Sequence, residues 1–294
     1  ESPNVPTVGV GEGTWPSMRT TLNNIGISES DFIRQCDASM KQGTWFKDWV
    51  NIGDTPYYHP FSLPEGFDNI NLAAHWLNGE AGDIEFAKAV TPQFDVCELG
   101  RAPKQIGVPN YAYTVNYGYH LDAGKFAAML TSNAVKTLGV RHVLADVCEI
   151  NTDADGYIVS VSTLQHGDIA GDLFIDCTGF KSLLLGGHFG VGLRCQKQHL
   201  FNDAALAVQV PYESDADSIA ATTDSTSQTN GWIWDFGLQT RRGIGHVFST
   251  DYQSIDETHL KLDNYLKVSG RTAGLDGLSP RVLRFEPGYR EQFW

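Results

Sequence analysis

The sequence has no long apolar run and too few basic residues for a membrane or nucleic-acid partner. Its 294 residues contain no stretch of 18 apolar residues, and the N-terminus lacks a basic segment followed by an apolar one. The 35 Asp and Glu outnumber the 21 Lys and Arg, for a formal net charge of −14, whereas phosphate binding needs a positive face. We therefore predict a cytoplasmic protein without nucleic-acid or membrane partners.

Signatures of several common sites are missing as well. The cysteines are odd in number, far apart and never spaced as C-x-x-C, which favours buried thiols over a disulfide framework or a zinc site. No metal site is predicted. There is no G-x-S-x-G elbow, so a hydrolase has little support, and no G-x-G-x-x-G fingerprint of a dinucleotide site.

The patterns that are present indicate a mixed α/β protein. Helices are predicted where proline, capping residues and glycine bracket apolar residues at helical spacing. Strands are predicted where β-branched and aromatic residues alternate with polar ones. The predicted helices are 16–24, 28–36 and 122–139, and the predicted strands are 39–50, with Lys41 near its start, 141–150, 156–165 and 171–179, followed by a second sheet within 202–250.

The segment 51–118 has a different character. It is interrupted by proline and glycine, contains many aromatic residues and has only short periodic pieces. A stretch of this length without a regular scaffold of its own is usually functional in a compact domain. We expect it to shape a substrate pocket.

The stretch "VGVGEGTWP", Val8 to Pro16, places three glycines at alternate positions around Glu12. Their spacing does not match a phosphate-binding loop, and alone the stretch is an uninformative turn. Glu1 adds information, because an acid at the end of a strand holds a ribose hydroxyl in dinucleotide-binding βαβ units, about 20 residues after the glycine loop. On this interpretation the loop would precede residue 1.

Several segments in order resemble the flavin-dependent tryptophan and indole halogenases. Residues 1–16, "ESPNVPTVGVGEGTWP", match the family run E-S-x-x-x-P-x-I-G-V-G-E-A-T-x-P. Further similar segments are "NNIGISESDFIRQCDASMKQGTWFKDW", "YYHPF", "NYGYHLDAGKFAAML", "DLFIDCTGFKSLLL" and "GWIWDFGLQTRRGIGHVFS". The resemblance implies a flavin monooxygenase-type, Rossmann-like FAD-binding fold with an inserted β-meander and a second sheet. One halogenase domain would cover 1–294, with a pocket insertion at 51–118, the meander and second flavin segment at 140–179, and the second sheet at 202–250.

The resemblance also implies a reaction. Reduced FAD (FADH2) and O2 convert halide, chloride or bromide, into hypohalous acid, and a lysine delivers the halogen to an aromatic ring. The lysine would be Lys41. A desolvated lysine suits this role, because its ammonium can polarise the hypohalite oxygen and its amine can carry the halogen.

The remaining site residues follow from the same matches. The residues expected to contact FAD are Glu1, Gly9, Val10, Gly11, Glu12, Gly13, Thr14, Val147, Asp176, Thr178 and Gly179. His59 and Phe61 match positions that sandwich an indole ring. Trp232 and Trp234 either form a wall between flavin and substrate or belong to the core. The expected partners are an indole or tryptophan-like substrate and a separate flavin reductase.

Two departures from the family keep alternatives open. The W-x-W-x-I-P signature reads W-I-W-D-F-G at residues 232–237. The family's G-x-G-x-x-G loop and a later acidic segment are not found within 1–294, so we expect a chain truncated at both ends. A flavin monooxygenase that hydroxylates an aromatic ring, or a catalytically inactive protein, are the alternatives.

Overall fold

A computed structural model describes residues 1–5, 7, 9, 12–214 and 217–291. The helices are α1 (Ser17–Asn24), α2 (Glu29–Gln35), α3 (Leu72–Leu77), α4 (Phe86–Val90), α5 (Gln93–Glu98), α6 (Ala123–Lys136) and α7 (Ile255–Val268), with a 3-10 turn at Gly179–Lys181 and a π-helical turn at Leu183–His188. The strands are β1 (Glu12–Gly13), β2 (Ser39–Lys41), β3 (Gly43–Lys47), β4 (Tyr57–Pro60), β5 (Gly118–Leu121), β6 (Val147–Thr152), β7 (Ile158–Thr163), β8 (Gly167–Ala170), β9 (Arg194–Cys195), β10 (Ala204–Pro211), β11 (Thr223–Gln228), β12 (Gly231–Gly237), β13 (Arg241–Phe248), β14 (Arg281–Arg284) and β15 (Gly288–Tyr289). The mixed α/β class is confirmed.

The chain forms two compact units. The sheet unit comprises 8–130 and 202–284, and the meander unit comprises 1–7, 131–201 and 285–294. In the part of the chain that the structure describes, no helix is long and apolar enough to cross a membrane.

The larger sheet of the sheet unit has seven strands in the order β14-β10-β13-β12-β11-β3-β4. The β3–β11 pair is parallel and the other pairs are antiparallel. Helix α7 begins with a capping box between Ser254 and Glu257 and packs Leu262 and Leu266 on the buried face of β10 and β13. These contacts form the main core of the unit. The sheet predicted within 202–250 is present there as β10 to β13, and it also includes β3, β4 and β14 from outside that range.

The smaller sheet of the same unit has the order β1-β5-β2. Its middle strand is buried at every position, and Tyr119 and Leu121 pack with Leu22 of α1 and Phe32 of α2. Local signals set the two helices: Pro16 precedes α1, and the Ser28 hydroxyl accepts a hydrogen bond from the Asp31 amide at the start of α2. Both helices were predicted.

The meander unit contains the antiparallel sheet β6-β7-β8 and the short pair β15-β9. The second predicted strand of the meander, 156–165, contains β7. The first, 141–150, is confirmed only from Val147 onward, where β6 begins. The third, 171–179, is wrong, because the strand that pairs with β7 is Gly167–Ala170 and residues 171–178 form no strand. The cause lies at Asp176, which binds the amides of the following turn instead of continuing a strand.

The strand predicted over 39–50 is also corrected. The chain divides at Gln42 into β2, which joins the smaller sheet, and β3, which joins the larger one. The amide of Gln42 donates to the Ala221 carbonyl, and its own carbonyl accepts from the Phe61 amide at 3.1 Å. Lys41 therefore ends a strand and lies where the chain passes between two sheets.

Candidate active site

Lys41 lies opposite Gly118 on the middle strand of the smaller sheet. His120, on the same middle strand, pairs with Gly13 of β1 on one side and with Ser39 of β2 on the other. Residues directly opposite each other on antiparallel strands project from one face. Lys41, Gly13, Ser39 and His120 therefore share a face.

The Lys41 side chain reaches across the sheet to the first strand. A β-carbon on Gly13 would lie 3.1 Å from Lys41 Nζ, and the Nζ lies 5.6 Å from the centre of the Phe61 ring. Burial lowers the pKa of Lys41, and within the described residues no carboxylate contributes to that pKa. The lysine is thus desolvated, and no anion among the residues that the structure describes stabilises its charge.

An aromatic wall stands beside the lysine. The Phe61 ring packs against Trp15 with centroids 5.6 Å apart, and Trp15 is 65% exposed. The backbone of Phe61 is fixed by the Gln42 carbonyl and by the Asn116 side-chain amide, which donates to the Phe61 carbonyl at 2.9 Å. His59 lies opposite Thr44 in β4 with an exposed side chain. Of the two predicted substrate residues, Phe61 is the one beside the ammonium.

The segment 9–14, whose residues are expected to contact FAD, is called the strap here, and its last residue is tied to the middle strand. Thr14 donates its amide to the Tyr119 carbonyl at 2.8 Å, and its hydroxyl accepts from the Tyr119 amide at 2.9 Å. A β-carbon on Gly118 would lie 2.6 Å from the Thr14 carbonyl oxygen, so this close approach requires glycine there. Partial burial raises the pKa of Glu12.

Two strap glycines have packing roles in the sheet unit. A β-carbon on Gly9 would lie 2.5 Å from Ala123 Cβ at the start of α6, whereas Gly13 leaves room for Lys41 Nζ. The predicted contacts at Val10 and Gly11 lie outside the described residues.

Two further cofactor candidates lie in the meander unit, near its N-terminal segment. The Glu1 carboxylate binds His142 Nε2 through Oε2 at 2.8 Å, and the Glu1 carbonyl accepts from the Ala145 amide at 2.8 Å. Val147 begins β6, an edge strand of the meander, and is 37% exposed. An edge strand has peptide groups that no neighbouring strand uses.

The second predicted flavin segment forms a tight turn. Asp176 Oδ1 accepts from the Thr178 hydroxyl at 2.6 Å and amide at 3.2 Å, while Oδ2 accepts from the amides of Leu184 and Leu185. Burial acts to raise the pKa of Asp176, but these hydrogen bonds outweigh it and leave that pKa lowered. Gly179 follows with φ +63°. Asp176 thus holds the turn that presents Thr178 and Gly179.

His120 was not singled out from the sequence, although it lies within the quoted segment "NYGYHLDAGKFAAML". Its side chain is fully buried, its Nε2 lies 2.8 Å from the Thr223 hydroxyl and its ring stacks on Phe236 at 4.9 Å. The structural feature that draws attention to His120 is its place in β5, where every residue is buried. No local sequence pattern reveals that β5 lies between β1 and β2.

The two tryptophans of "GWIWDFG" extend the aromatic surface along β12. Trp232, Trp234 and Phe236 alternate along the strand, so their side chains project from one face. Trp232 contacts Trp49 at 6.1 Å and Trp234 at 6.2 Å. A β-carbon on Gly245 would overlap the Trp234 ring, which shows how closely that ring covers β13.

Comparison with known proteins covers the whole chain. The family model described as tryptophan halogenase matches residues 1–294. A tryptophan 6-halogenase of Streptomyces toxytricini is 31% identical over 99% of this chain and 59% of its own length.

Solved structures of similar proteins share the fold. A tryptophan halogenase from Shewanella frigidimarina is 51% identical with a TM-score of 0.92, covering 99% of this chain and 55% of that one. A flavin-dependent halogenase from Xanthomonas campestris is 32% identical with a TM-score of 0.86, covering 100% of this chain and 57% of that one. The chain spans less than two thirds of the length of these proteins.

Proposed function

The chain belongs to the tryptophan halogenase family, and from this we propose that its protein is a flavin-dependent halogenase in which Lys41 directs halogen to an indole-type ring. The observation that carries the proposal is the lysine itself: it is desolvated, it has no carboxylate partner in the described part of the chain, and it lies beside the ring of Phe61. A lysine that only stabilised the fold would be expected to have an acidic partner or a solvated head.

The proposed flavin site fits the residues of the meander unit. One oxygen of the Glu1 carboxylate binds His142, and the side chain is 53% exposed, which leaves the other oxygen for a ribose hydroxyl. The Thr178–Gly179 turn and the free edge of β6 at Val147 offer further polar groups. Glu12, Gly13 and Thr14 stay assigned to the flavin-side strap, as do Gly9, Val10 and Gly11. When bound, the reduced flavin with oxygen supplies the oxidation of halide to hypohalous acid.

The residues around Lys41 explain how the halogen is directed. The ammonium donates a hydrogen bond to the oxygen of hypohalous acid, and this makes that oxygen a better leaving group. The ring carbon attacks the halogen, so a carbon–halogen bond forms while the halogen–oxygen bond breaks. The oxygen leaves as water with a proton from the lysine. The proton that the ring loses then returns the lysine to its ammonium form.

The aromatic wall sets which carbon reacts. Phe61, with the exposed Trp15 packed against it and His59 two residues earlier in the chain, offers a flat apolar surface for one face of an indole. Holding a ring carbon near the lysine would contribute more to rate and regiochemistry than the electronic preference of the ring alone. We propose that other parts of 51–118 complete this pocket.

The proposal includes partners and location. The substrate class is an indole or tryptophan-like aromatic, the halide is chloride or bromide, and a separate flavin reductase supplies FADH2. Both units would belong to one flavin-dependent domain, and the protein would act in the cytoplasm.

The decisive experiment supplies a flavin reductase, NADH, FAD, oxygen and either chloride or bromide to the protein, with tryptophan and a panel of indoles analysed by mass. We expect halogenated products that disappear in Lys41→Met, and unchanged products in Lys136→Met, a matched change at an exposed lysine. Halide-independent hydroxylation would instead identify an aromatic monooxygenase. Full halogenation by Lys41→Met would overturn the assigned role.

A further inference from the structure

His120 is a fully buried titratable group beside Lys41 that the proposed reaction does not use. The strand register places Ser39 and Gly13 on either side of His120, and it places Lys41 on β2 diagonally opposite His120. A β-carbon on Gly13 would lie 3.6 Å from His120 Cδ2 and 3.1 Å from Lys41 Nζ. The imidazole and the ammonium therefore converge on the same glycine.

The contacts of the ring fit one neutral tautomer. The Ser39 hydroxyl donates its proton to the Gly237 carbonyl, so towards His120 Nδ1, 3.5 Å away, it can act only as an acceptor. Nδ1 then carries the hydrogen, and Nε2 accepts from the Thr223 hydroxyl at 2.8 Å. Stacking on Phe236 fixes the plane of the ring.

The charges around the ring favour the same state. Burial, and then the positive charge of Lys41, hold the pKa of His120 well below its ordinary value. Lys41 is the charged group that acts on it from β2, and within the described residues neither β1 nor β12 contributes a carboxylate to that pKa. In this state the ring adds neither a negative nor a positive charge beside the lysine.

We propose that His120 is a positioning residue for Lys41: a neutral imidazole, fixed by Thr223 and Phe236, that closes the sheet side of the lysine, so that Nζ has no ionic or hydrogen-bond partner among the residues the structure describes. This inference rests on the proposed function, because it gives a reason why no described residue pairs with Lys41 Nζ. An unpaired ammonium is available to the oxygen of hypohalous acid, whereas a paired one would have to give up its partner first.

A matched pair of variants tests the proposal. His120→Gln keeps an acceptor for Thr223 and a donor for Ser39, while His120→Glu has the same shape with a negative charge. The readout is the pH midpoint at which Lys41 is acetylated by acetic anhydride, measured by mass spectrometry of its peptide. We expect the glutamine variant to stay within about 0.5 pH unit of the parent and the glutamate variant to rise by about 1 pH unit or more.

The control is His259→Glu, which adds the same charge at an exposed position of α7 and should leave the Lys41 midpoint unchanged. In the halogenation assay, His120→Glu should lower kcat about tenfold with KM within about twofold, and His120→Gln should keep most of kcat. Equal Lys41 midpoints in the two variants would overturn the proposal.

A measurement on the unaltered protein covers the case in which the glutamate variant does not fold. With ¹⁵N-labelled histidine, the His120 ring should show hydrogen on Nδ1 only, and no protonation between pH 8 and 5.5. Protonation of this ring near pH 6.5 would contradict the proposal. If Lys41→Met halogenates normally, the role proposed for Lys41 in halogenation fails, whereas the labelling and ring measurements still decide the relation between His120 and Lys41.

Discussion

Lys41 Nζ lies 3.1 Å from the point where a side chain on Gly13 would begin. The two residues are on the outer strands of a three-stranded sheet, so the lysine crosses the middle strand to reach the strap. The position of the ammonium therefore depends on the lack of a side chain at residue 13.

Larger residues at position 13 should displace the lysine. The halogenase run that this segment resembles has Ala here, so Gly13→Ala should lower kcat only modestly, because the flexible end of the lysine can move by a few tenths of an ångström. Gly13→Val should lower kcat about a hundredfold, since a misplacement of about 1 Å near the reacting atoms has an effect of that order. Steady-state halogenation kinetics, with thermal unfolding to check the fold, measure both.

The control for this series is Gly192→Ala, because a β-carbon there meets no atom within 4 Å. It should leave kcat unchanged. If Gly13→Val kept full activity at a normal unfolding temperature, the ammonium would not need its observed position.

The pH dependence of halogenation should reveal the burial of Lys41. Burial lowers its pKa, and the proposed step uses the ammonium as a hydrogen-bond donor. Activity should therefore be lost as pH rises through a pKa below the ordinary lysine value of about 10.4. The measurement is kcat/KM against pH with reductase in excess, and activity that rises with pH through the same range would identify the amine, not the ammonium, as the reacting form.

How much of this could be predicted from the sequence depends on whether the signal is local. Helices α1 and α2 were predicted because Pro16 and Ser28 mark their starts within a few residues. The division of the strand at Gln42 was missed, because its cause is pairing with Ala221 and Phe61, which are distant in the chain.

The same contrast holds for the site. The resemblance led to Lys41 and Phe61, and the structure puts the two side by side. His120 was missed because its environment comes from three strands and the Thr223 hydroxyl, none of which is visible from its neighbours in the sequence.

A buried acid that binds Tyr119 of the smaller sheet should govern the stability of that sheet. Glu29 is 2% exposed, and its carboxylate accepts hydrogen bonds from the hydroxyls of Tyr117 and Tyr119, from Lys104 Nζ and from the Tyr111 amide. Glu29→Gln leaves Lys104, whose side chain is 10% exposed, without its acid, and it should lower the free energy of unfolding by about 3 kcal/mol at pH 7. Urea unfolding followed by tryptophan fluorescence measures this change.

The effect of Glu29 should disappear in acid. Burial acts to raise its pKa, but the hydrogen bonds led by that from Lys104 outweigh burial and the pKa is lowered overall. A carboxylate with a lowered folded pKa stabilises the fold above its unfolded pKa, and this stabilisation is lost as pH falls through the folded pKa. The difference between the parent and Glu29→Gln should shrink accordingly, while the half-exposed Glu98→Gln should change stability by less than about 0.5 kcal/mol at either pH. An equal loss in both variants would show that Glu29 is not the stabilising group.

Trp15 should contribute to substrate binding through its exposed ring. Its backbone is fixed on one side by the pairing of Thr14 with Tyr119 and on the other by the start of α1, where the Met18 amide donates to the Trp15 carbonyl at 3.0 Å. The side chain is nevertheless 65% exposed and leans on Phe61. A rigid backbone that presents an exposed aromatic ring beside Phe61 is suited to bind another flat ring. Stacking contributes about 1 kcal/mol of binding free energy beyond the contribution of the buried area.

Replacing that ring separates binding from chemistry. Trp15→Ala should raise KM for an indole substrate about tenfold with kcat changed less than threefold, since about 1.4 kcal/mol of binding is lost while Lys41 stays in place. Trp15→Phe should keep most of the affinity. Tyr252→Ala removes an aromatic ring that is equally exposed, at 65%, and should leave KM unchanged. If Trp15→Ala and Tyr252→Ala gave the same KM, the exposed ring of Trp15 would not form part of the substrate wall, and Phe61 would have to hold the indole without it.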